Sequence, residues 1–335
     1  MTSATLDRLL AALLVTQLAT GLLTLRSGVS ATAPLFWAHG LLGGALLIAS
    51  GEKLRRSVGP AVRRRRWGKL ALGALLTLLV AAALAGGFAW VAGGRILSIG
   101  PWTILTLHVW AALALVPVVL AHLVPRRWRL LRPRSGATRA LGPRLSRRKL
   151  IGIGAVAVLG SVAWGAANIL DRVQGGARRF TGSRWLPDGG IPPPTTFYGE
   201  GAPQLDVAEW RLGITGRVNR RMSLDLVALA ALGIVEQEAV LDCTSGWVLR
   251  TGWRGTPLRA VLDAAGAEPD ATHVTVRSVT GWSVHLERHE LDDALLATHV
   301  AGTLLPMANG APCRLVAPER RGLDWIKWVA FIEVG

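Results

Sequence analysis

The sequence predicts two kinds of structure in one chain: an N-terminal all-α membrane bundle of five transmembrane helices, then an α+β domain. Three observations predict it. Five apolar runs occur before residue 171, two loops between them carry the excess positive charge, and beyond Leu170 the pattern changes to short mixed segments. Of 335 residues, 51% are hydrophobic and only 18% charged, whereas a water-soluble domain carries about 25% charged residues. The two cysteines exclude a disulfide scaffold and a cysteine-rich zinc or iron–sulfur cage.

The apolar runs cover about 6–25, 34–52, 70–92, 101–124 and 150–170. Each approaches the ~20 residues that cross ~30 Å of hydrocarbon. Net charge is +17, but segment 53–69 holds eight Lys/Arg and segment 125–149 holds ten, with no acid in either. Residues 171–335 are near neutral, with 17 basic and 19 acidic side chains. The excess is confined to two short segments between apolar runs, which weighs against a basic nucleic-acid face, and no nucleic acid partner is expected. Basic loops between apolar runs follow the positive-inside rule. They place the N-terminus and both loops in the cytoplasm and everything after about residue 171 outside it. Trp37, Trp90, Trp102 and Trp128 stand near span ends, where indoles favour the interface. The first run has only Asp7 and Arg8 near its start and no cleavage motif, so it reads as a span rather than a signal peptide.

Before the fifth run stands Ser146-Arg147-Arg148-Lys149-Leu150-Ile151, followed by a weakly hydrophobic Gly/Ala-rich stretch. A twin arginine in that setting looks like a twin-arginine (Tat) export signal, which moves folded proteins. The chain thus divides into a four-helix bundle (1–124), a basic cytoplasmic loop (125–149), a fifth span with its signal (150–170), a linker and leading segment (171–204), and an extracytoplasmic domain (205–335).

Histidines 39, 108 and 122 fall inside spans, where ionisable residues are costly and are functional candidates. His39 lies five residues past Pro34 and His108 seven past Pro101. At 1.5 Å per residue they sit about 7 and 10 Å below the outer edge, level enough to clasp one iron from two helices. We therefore expect one bis-histidine haem b near the outer face. His122 is about 21 Å deeper on the same side of helix four, and Gln17 is a poor iron ligand, so a second haem has no visible partner. The other reading is that these polar residues serve helix packing. Gly40, Gly43 and Gly44 permit close approach of a helix or a porphyrin.

In the outer half, WRLGITGRV and THVTVRSV alternate like strands, as does the terminal WIKWVAFIEV. SLDLVALAAL reads as a short helix with Ser223 as N-cap, and LDDALLATHV as a second helix. Cys243, in Leu241-Asp242-Cys243-Thr244-Ser245-Gly246-Trp247, has three readings from composition alone: buried filler, nucleophile, or single thiolate ligand to a soft metal.

Three blocks carry a family resemblance. Trp247 and Trp253 stand four and ten residues after Cys243, with Pro257-Leu258 following. Asn309-Gly310-Ala311-Pro312-Cys313-Arg314 is followed by Pro318, Gly322 and Ile326-Lys327-Trp328, and upstream lies Pro194-Thr195-Thr196-Phe197-Tyr198-Gly199. In this order they resemble the sulfite oxidase family of molybdopterin-binding domains. The upstream block is similar to the leading motif of periplasmic protein-methionine-sulfoxide reductases. The four spans look like a degenerate cytochrome b561-type domain.

The resemblance implies Mo-molybdopterin, with Cys243 supplying the one protein thiolate. Asn309, Arg314 and Lys327 match positions that hold the pterin and its phosphate, with Trp325 and Ile326 offering backbone contacts. Thr195, Tyr198 and Gly199 match leading-loop contacts, and Ser278 a small hydroxyl position. Thr195 departs from the reductase pattern, which has an amide there, and the full arginine cluster of sulfite oxidases is not matched. Arg250, His285 and His289 are candidates for the pocket or the surface, and Cys313 for the core. The implied enzyme is a membrane oxidoreductase that transfers oxygen atoms outside the cytoplasm. Its partners are membrane lipid, a quinone or quinol, and a small or protein-bound sulfur substrate of sulfoxide type. The same parts fit a sulfite or sulfur-compound dehydrogenase, and a haem-only conduit is the third reading.

Overall fold

The computed structural model describes residues 2–63, 67–123, 146–195 and 201–335. These fold into two compact units, residues 1–24 with 31–182 and residues 25–30 with 183–335.

In the first unit five helices are long and apolar enough to cross a membrane, by length and composition. They are α1 (Ser3–Thr24), α2 (Ala33–Arg63), α3 (Trp67–Ala92), α4 (Ile104–Leu123) and α5 (Arg147–Val173). Val15, Leu22, Leu78 and Val162 are each more than half exposed, the pattern of helices whose outer solvent is lipid. Leu6, Leu13, Leu46, Leu84 and Val156 form the inner core. A short ribbon of β1 (Ser98–Ile99) and β2 (Trp102–Thr103) joins α3 to α4.

The glycine groove on α2 is filled by a helix. A side chain at Gly44 or Gly160 would collide with the facing backbone, and Gly40 lies under the Trp164 indole. Small residues let α2 and α5 approach this closely. Trp90, placed near the interface from sequence, is 2% exposed and donates Nε1 to the Gly182 carbonyl at 3.0 Å. Trp128 lies outside the described residues. Arg147, Arg148 and Lys149 occupy the first turn of α5, where the helix dipole disfavours positive charge. Ser146 makes no side-chain cap there, so helix stability does not account for the basic cluster.

The second unit contains two sheets. One joins β3 (Arg184–Trp185), β6 (Val235–Asp242), β7 (Trp247–Pro257), β10 (Leu295–Val300), β11 (Thr303–Leu304) and β12 (Arg314–Val316). The other has the order β5-β4-β13-β8-β9, built from β4 (Leu212–Gly216), β5 (Met222–Leu224), β8 (His273–Ser278), β9 (Ser283–Glu287) and β13 (Val329–Val334). Its β4–β13 pair is parallel. Helices α6 (Leu226–Ala231) and α7 (Leu258–Ala265) complete the unit.

Several sequence expectations change. Residues 295–300 form strand β10, not a helix. Leu295, Leu296 and Ala297 pair with β7 on one side and β12 on the other and are at most 1% exposed; central sheet packing overrides local helix preference. The α6 cap is Asp225, whose Oδ1 accepts from the Ala228 amide at 2.8 Å, while Ser223 lies in β5. The C-terminal strand starts only at Val329, because Trp328 has φ 52°. The expected linker contributes β3, which pairs in parallel with β7.

Residues 25–30, the connection between α1 and α2, belong to the second unit. Ser27 bridges to Arg320, and Arg26 lies 3.8 Å from the Asp324 carboxylate.

Candidate molybdenum and haem sites

The β6–β7 hairpin presents Cys243. Its amide donates to the Trp247 carbonyl and its carbonyl accepts from the Gly246 amide, both at 2.9 Å. Gly246 has φ 103°, which suits glycine. Arg321, whose backbone bridges Asp242 in parallel, donates from Nη2 at 3.1 Å to the Cys243 carbonyl, to Asp242 Oδ1 and to Ser183 Oγ. Ser183 Oγ donates to Asp242 Oδ1 at 2.6 Å. Gly322 presses on the same turn, where an added Cβ would stand 3.2 Å from Cys243 Cα. The backbone of Cys243 is thus clamped while its side chain remains half-buried. Sγ lies 3.0 Å from Ser245 Oγ and 3.4 Å from Thr195 Oγ1.

Asp242 is 0% exposed and Arg321 3%, and Ser183 Oγ bonds both. Arg321→Met is expected to destabilise the second unit by about 3–5 kcal/mol, because it takes a guanidinium away from a buried carboxylate. The double variant Arg321→Met/Asp242→Leu is expected to recover much of that loss, read from the denaturation midpoint of tryptophan fluorescence.

Two further cations converge on one turn. Lys327 Nζ donates to the Ala308 carbonyl at 2.8 Å and the Thr195 carbonyl at 3.1 Å. Arg314 Nη1 donates to the next carbonyl, that of Asn309, at 2.8 Å. Asn309 Nδ2 ties the turn to the Pro192 carbonyl at 2.8 Å. Thr195 therefore links the parts: its carbonyl takes Lys327, and its hydroxyl reaches Cys243 Sγ and accepts from Trp247 Nε1 at 3.2 Å. Arg314 is 3% exposed and its Nε is buried with no partner among the described residues. Burial pulls its pKa down to about 10, and the charge of Cys243 works against that fall. Its guanidinium lies 5.5 Å from the Trp253 ring and 6.0 Å from the Trp325 ring.

Chemically this is a soft sulfur with a guanidinium, that of Arg314, and an ammonium, that of Lys327, both donating to backbone carbonyls. An unmatched guanidinium edge suits an anionic oxygen, and a thiolate suits a soft, electron-poor metal. The residues fit a molybdenum–pterin with a phosphate arm.

The remaining sequence candidates distribute as follows. Trp325 packs its ring on Trp253 at 5.5 Å, and its amide bonds the Gly322 carbonyl. Ile326 is buried, and its carbonyl accepts from the Leu315 amide. Ser278 closes the β8–β9 turn, its hydroxyl accepting from the Thr280 amide at 3.2 Å and hydroxyl at 3.1 Å. Tyr198 and Gly199 lie outside the described residues. Arg250 is exposed on β7 and His285 on β9. His289 lines a different, open cleft of about 770 Å³ with Arg259, His273 and Asp292. Cys313 is fully buried, and burial raises its thiol to about 12, so it fills the core. Sequence reasoning missed Arg321, Asp242, Ser183 and Ser245. The signals were Asp242 next to the cysteine and the Arg320-Arg321 pair before Gly322.

In the helical unit, the rings of His39 and His108 meet edge to face, with centroids 6.1 Å apart and planes at 88°. His108 Nδ1 is 2.6 Å from the Ala83 carbonyl, and His39 Nδ1 is 2.9 Å from Thr20 Oγ1. Two imidazoles bound to one metal at about 2 Å each put their centres about 6 Å apart, so the spacing and the unused Nε2 atoms fit a shared iron. His122 is on the last turn of α4, and α1–α3 hold no other histidine than His39.

The family profile described as the oxidoreductase molybdopterin binding domain matches residues 199–335. The protein-methionine-sulfoxide reductase catalytic subunit MsrP of Gluconobacter oxydans is 30% identical over 221 residues, 57% of this chain and 69% of that protein. MsrP of Xanthomonas axonopodis pv. citri is 30% identical over 152 residues, 39% of this chain and 47% of that one. YedZ1 of Azospira oryzae, provisionally assigned as a subunit of a protein-methionine-sulfoxide reductase, is 27% identical over 145 residues, 42% of this chain and 55% of that one. The chain thus spans about half the length of the last two relatives.

Proposed function

From the premise that this chain belongs to the sulfite oxidase-type family of molybdopterin-binding oxidoreductases, we propose that it is a membrane-anchored reductase of sulfoxide-type sulfur compounds. Cys243 supplies the protein thiolate, and Arg314, Lys327 and Asn309 hold the pterin and its phosphate. Thr195, with Tyr198 and Gly199 of the same segment, contacts the group from the leading loop. The bound molybdenum–pterin supplies two-electron oxygen-atom transfer. The chain's residues do the rest. The Arg321–Asp242 clamp fixes the thiolate, Ser245 and Thr195 set hydroxyls beside it, and Lys327 and Arg314 supply the positive potential that keeps an anionic cofactor in place. The observation that carries the reading is the half-buried thiol of Cys243 beside Arg314, a buried cation with an unmatched nitrogen.

In the same reading His39 and His108 hold one haem b near the outer face, and electrons reach it from a quinol in the membrane. The basic loops are cytoplasmic and residues 183–335 extracytoplasmic. Supporting that topology, the α1–α2 connection belongs to the same unit as the catalytic residues. The twin arginine in the first turn of α5 serves export of a folded domain, consistent with its placement where the helix does not benefit from it. The test is to supply sulfoxides, N-oxides and sulfite in turn to membranes carrying the protein while following the haem bands. Sulfoxide-driven oxidation of a pre-reduced haem is expected. Reduction of oxidised haem by sulfite, with no response to sulfoxides, reverses the assigned direction.

A further inference from the structure

The two membrane histidines are held by unlike partners. A carbonyl can only accept, so the Ala83 carbonyl at 2.6 Å fixes the proton of His108 on Nδ1. His39 faces a hydroxyl instead, and a hydroxyl can donate or accept. Its direction is decided one turn back along α1. Thr20 Oγ1 lies 2.8 Å from the Thr16 carbonyl and 3.2 Å from the Gln17 carbonyl, so its single hydrogen is spent on the helix backbone. Toward His39 Nδ1, at 2.9 Å, Thr20 is therefore the acceptor. Both imidazoles are Nδ1–H tautomers, and both Nε2 lone pairs remain available. No donor among the described residues reaches either one.

We propose that Thr20 is a positioning residue for the haem. It fixes the tautomer and rotation of His39 and, by accepting the Nδ1 proton, sets how strongly that imidazole donates to iron. This rests on the haem reading above. A partner on the non-ligating nitrogen orients a ligand histidine and raises its basicity. The contact of His39 with the Thr20 hydroxyl, at 2.9 Å, is longer than that of His108 with the Ala83 carbonyl, at 2.6 Å, which makes His39 the more adjustable of the pair. The position is well protected, since Thr20 is only 9% exposed.

The experiment uses the full chain in detergent or lipid discs, with Thr20→Val, which keeps the shape and removes the oxygen, and Thr20→Ser, which keeps the oxygen. Haem per chain, the midpoint potential and the low-spin electron paramagnetic resonance spectrum are measured on each. Thr20→Val is expected to raise the potential and alter the spectrum, because the oxidised iron loses electron density from His39, or to lose haem outright. Thr20→Ser is expected to restore both the haem content and the potential. If valine and serine variants behave alike, whether both match the parent or both lack haem, Thr20 does not act through its oxygen and the proposal falls. Failure of the underlying reading looks different: a parent chain that binds no haem, or one whose spectrum survives His39→Ala and His108→Ala.

Discussion

Serine in place of Cys243 is expected to reduce turnover by more than about 100-fold, since changing even an outer-shell residue of a metal site costs 10–100-fold. The haem bands should be unchanged in position and intensity. The substitution is nearly isosteric, and the backbone hydrogen bonds of Cys243 with Trp247, Gly246 and Arg321 do not involve the sulfur. A folding defect is therefore not the expected cause. What is lost is a soft donor, which a harder serine oxygen does not replace on molybdenum. The comparison of Cys243→Ser with Cys313→Ser makes the result specific. Cys313 is buried with no role at the site, so its replacement should leave activity per folded protein near that of the parent.

Removing either membrane imidazole is expected to be equally decisive for electron delivery. His39→Ala and His108→Ala should each abolish the low-spin b-type spectrum, because the two rings face each other from α2 and α4 and neither has a substitute nearby. His122→Ala should leave that spectrum intact. Oxygen-atom transfer driven by an artificial reductant should persist in the His39 and His108 variants, since the residues assigned to the molybdenum site all lie in the other unit. Quinol-driven turnover should vanish. Haem absorbance and the two assays together separate loss of wiring from loss of the catalytic unit.

The features legible in the sequence are those that depend on local pattern. The long apolar helices α1 to α5 follow from run length, whereas residues 53–63 and 67–69 of the first basic segment, expected as a loop, lie in α2 and α3, and of the second only 146–149 are among the described residues. Cys243, Asn309, Arg314 and Lys327 are visible only through the family resemblance of the blocks that carry them; composition alone leaves Cys243 as filler, nucleophile or ligand. Pairings distant in sequence are not legible. Arg321 and Asp242 are 79 positions apart, and nothing local marks them as one buried ion pair. Residues 295–300 illustrate the same limit: LDDALLATHV has helical composition, yet two flanking strands impose an extended backbone. The α2 glycines suggested close approach without naming the neighbour, which packing then identifies as α5. The acceptor role of Thr20 likewise needs the position of Thr16 and of His39 together.

Metal content of the purified full-length chain tests the central claim most directly. Protein from molybdenum-replete cells is predicted to carry molybdenum equimolar with the chain, and the Cys243→Ser variant to carry it poorly or in altered form. A parent protein that contains iron but no molybdenum, and still reduces sulfoxides, would contradict the account.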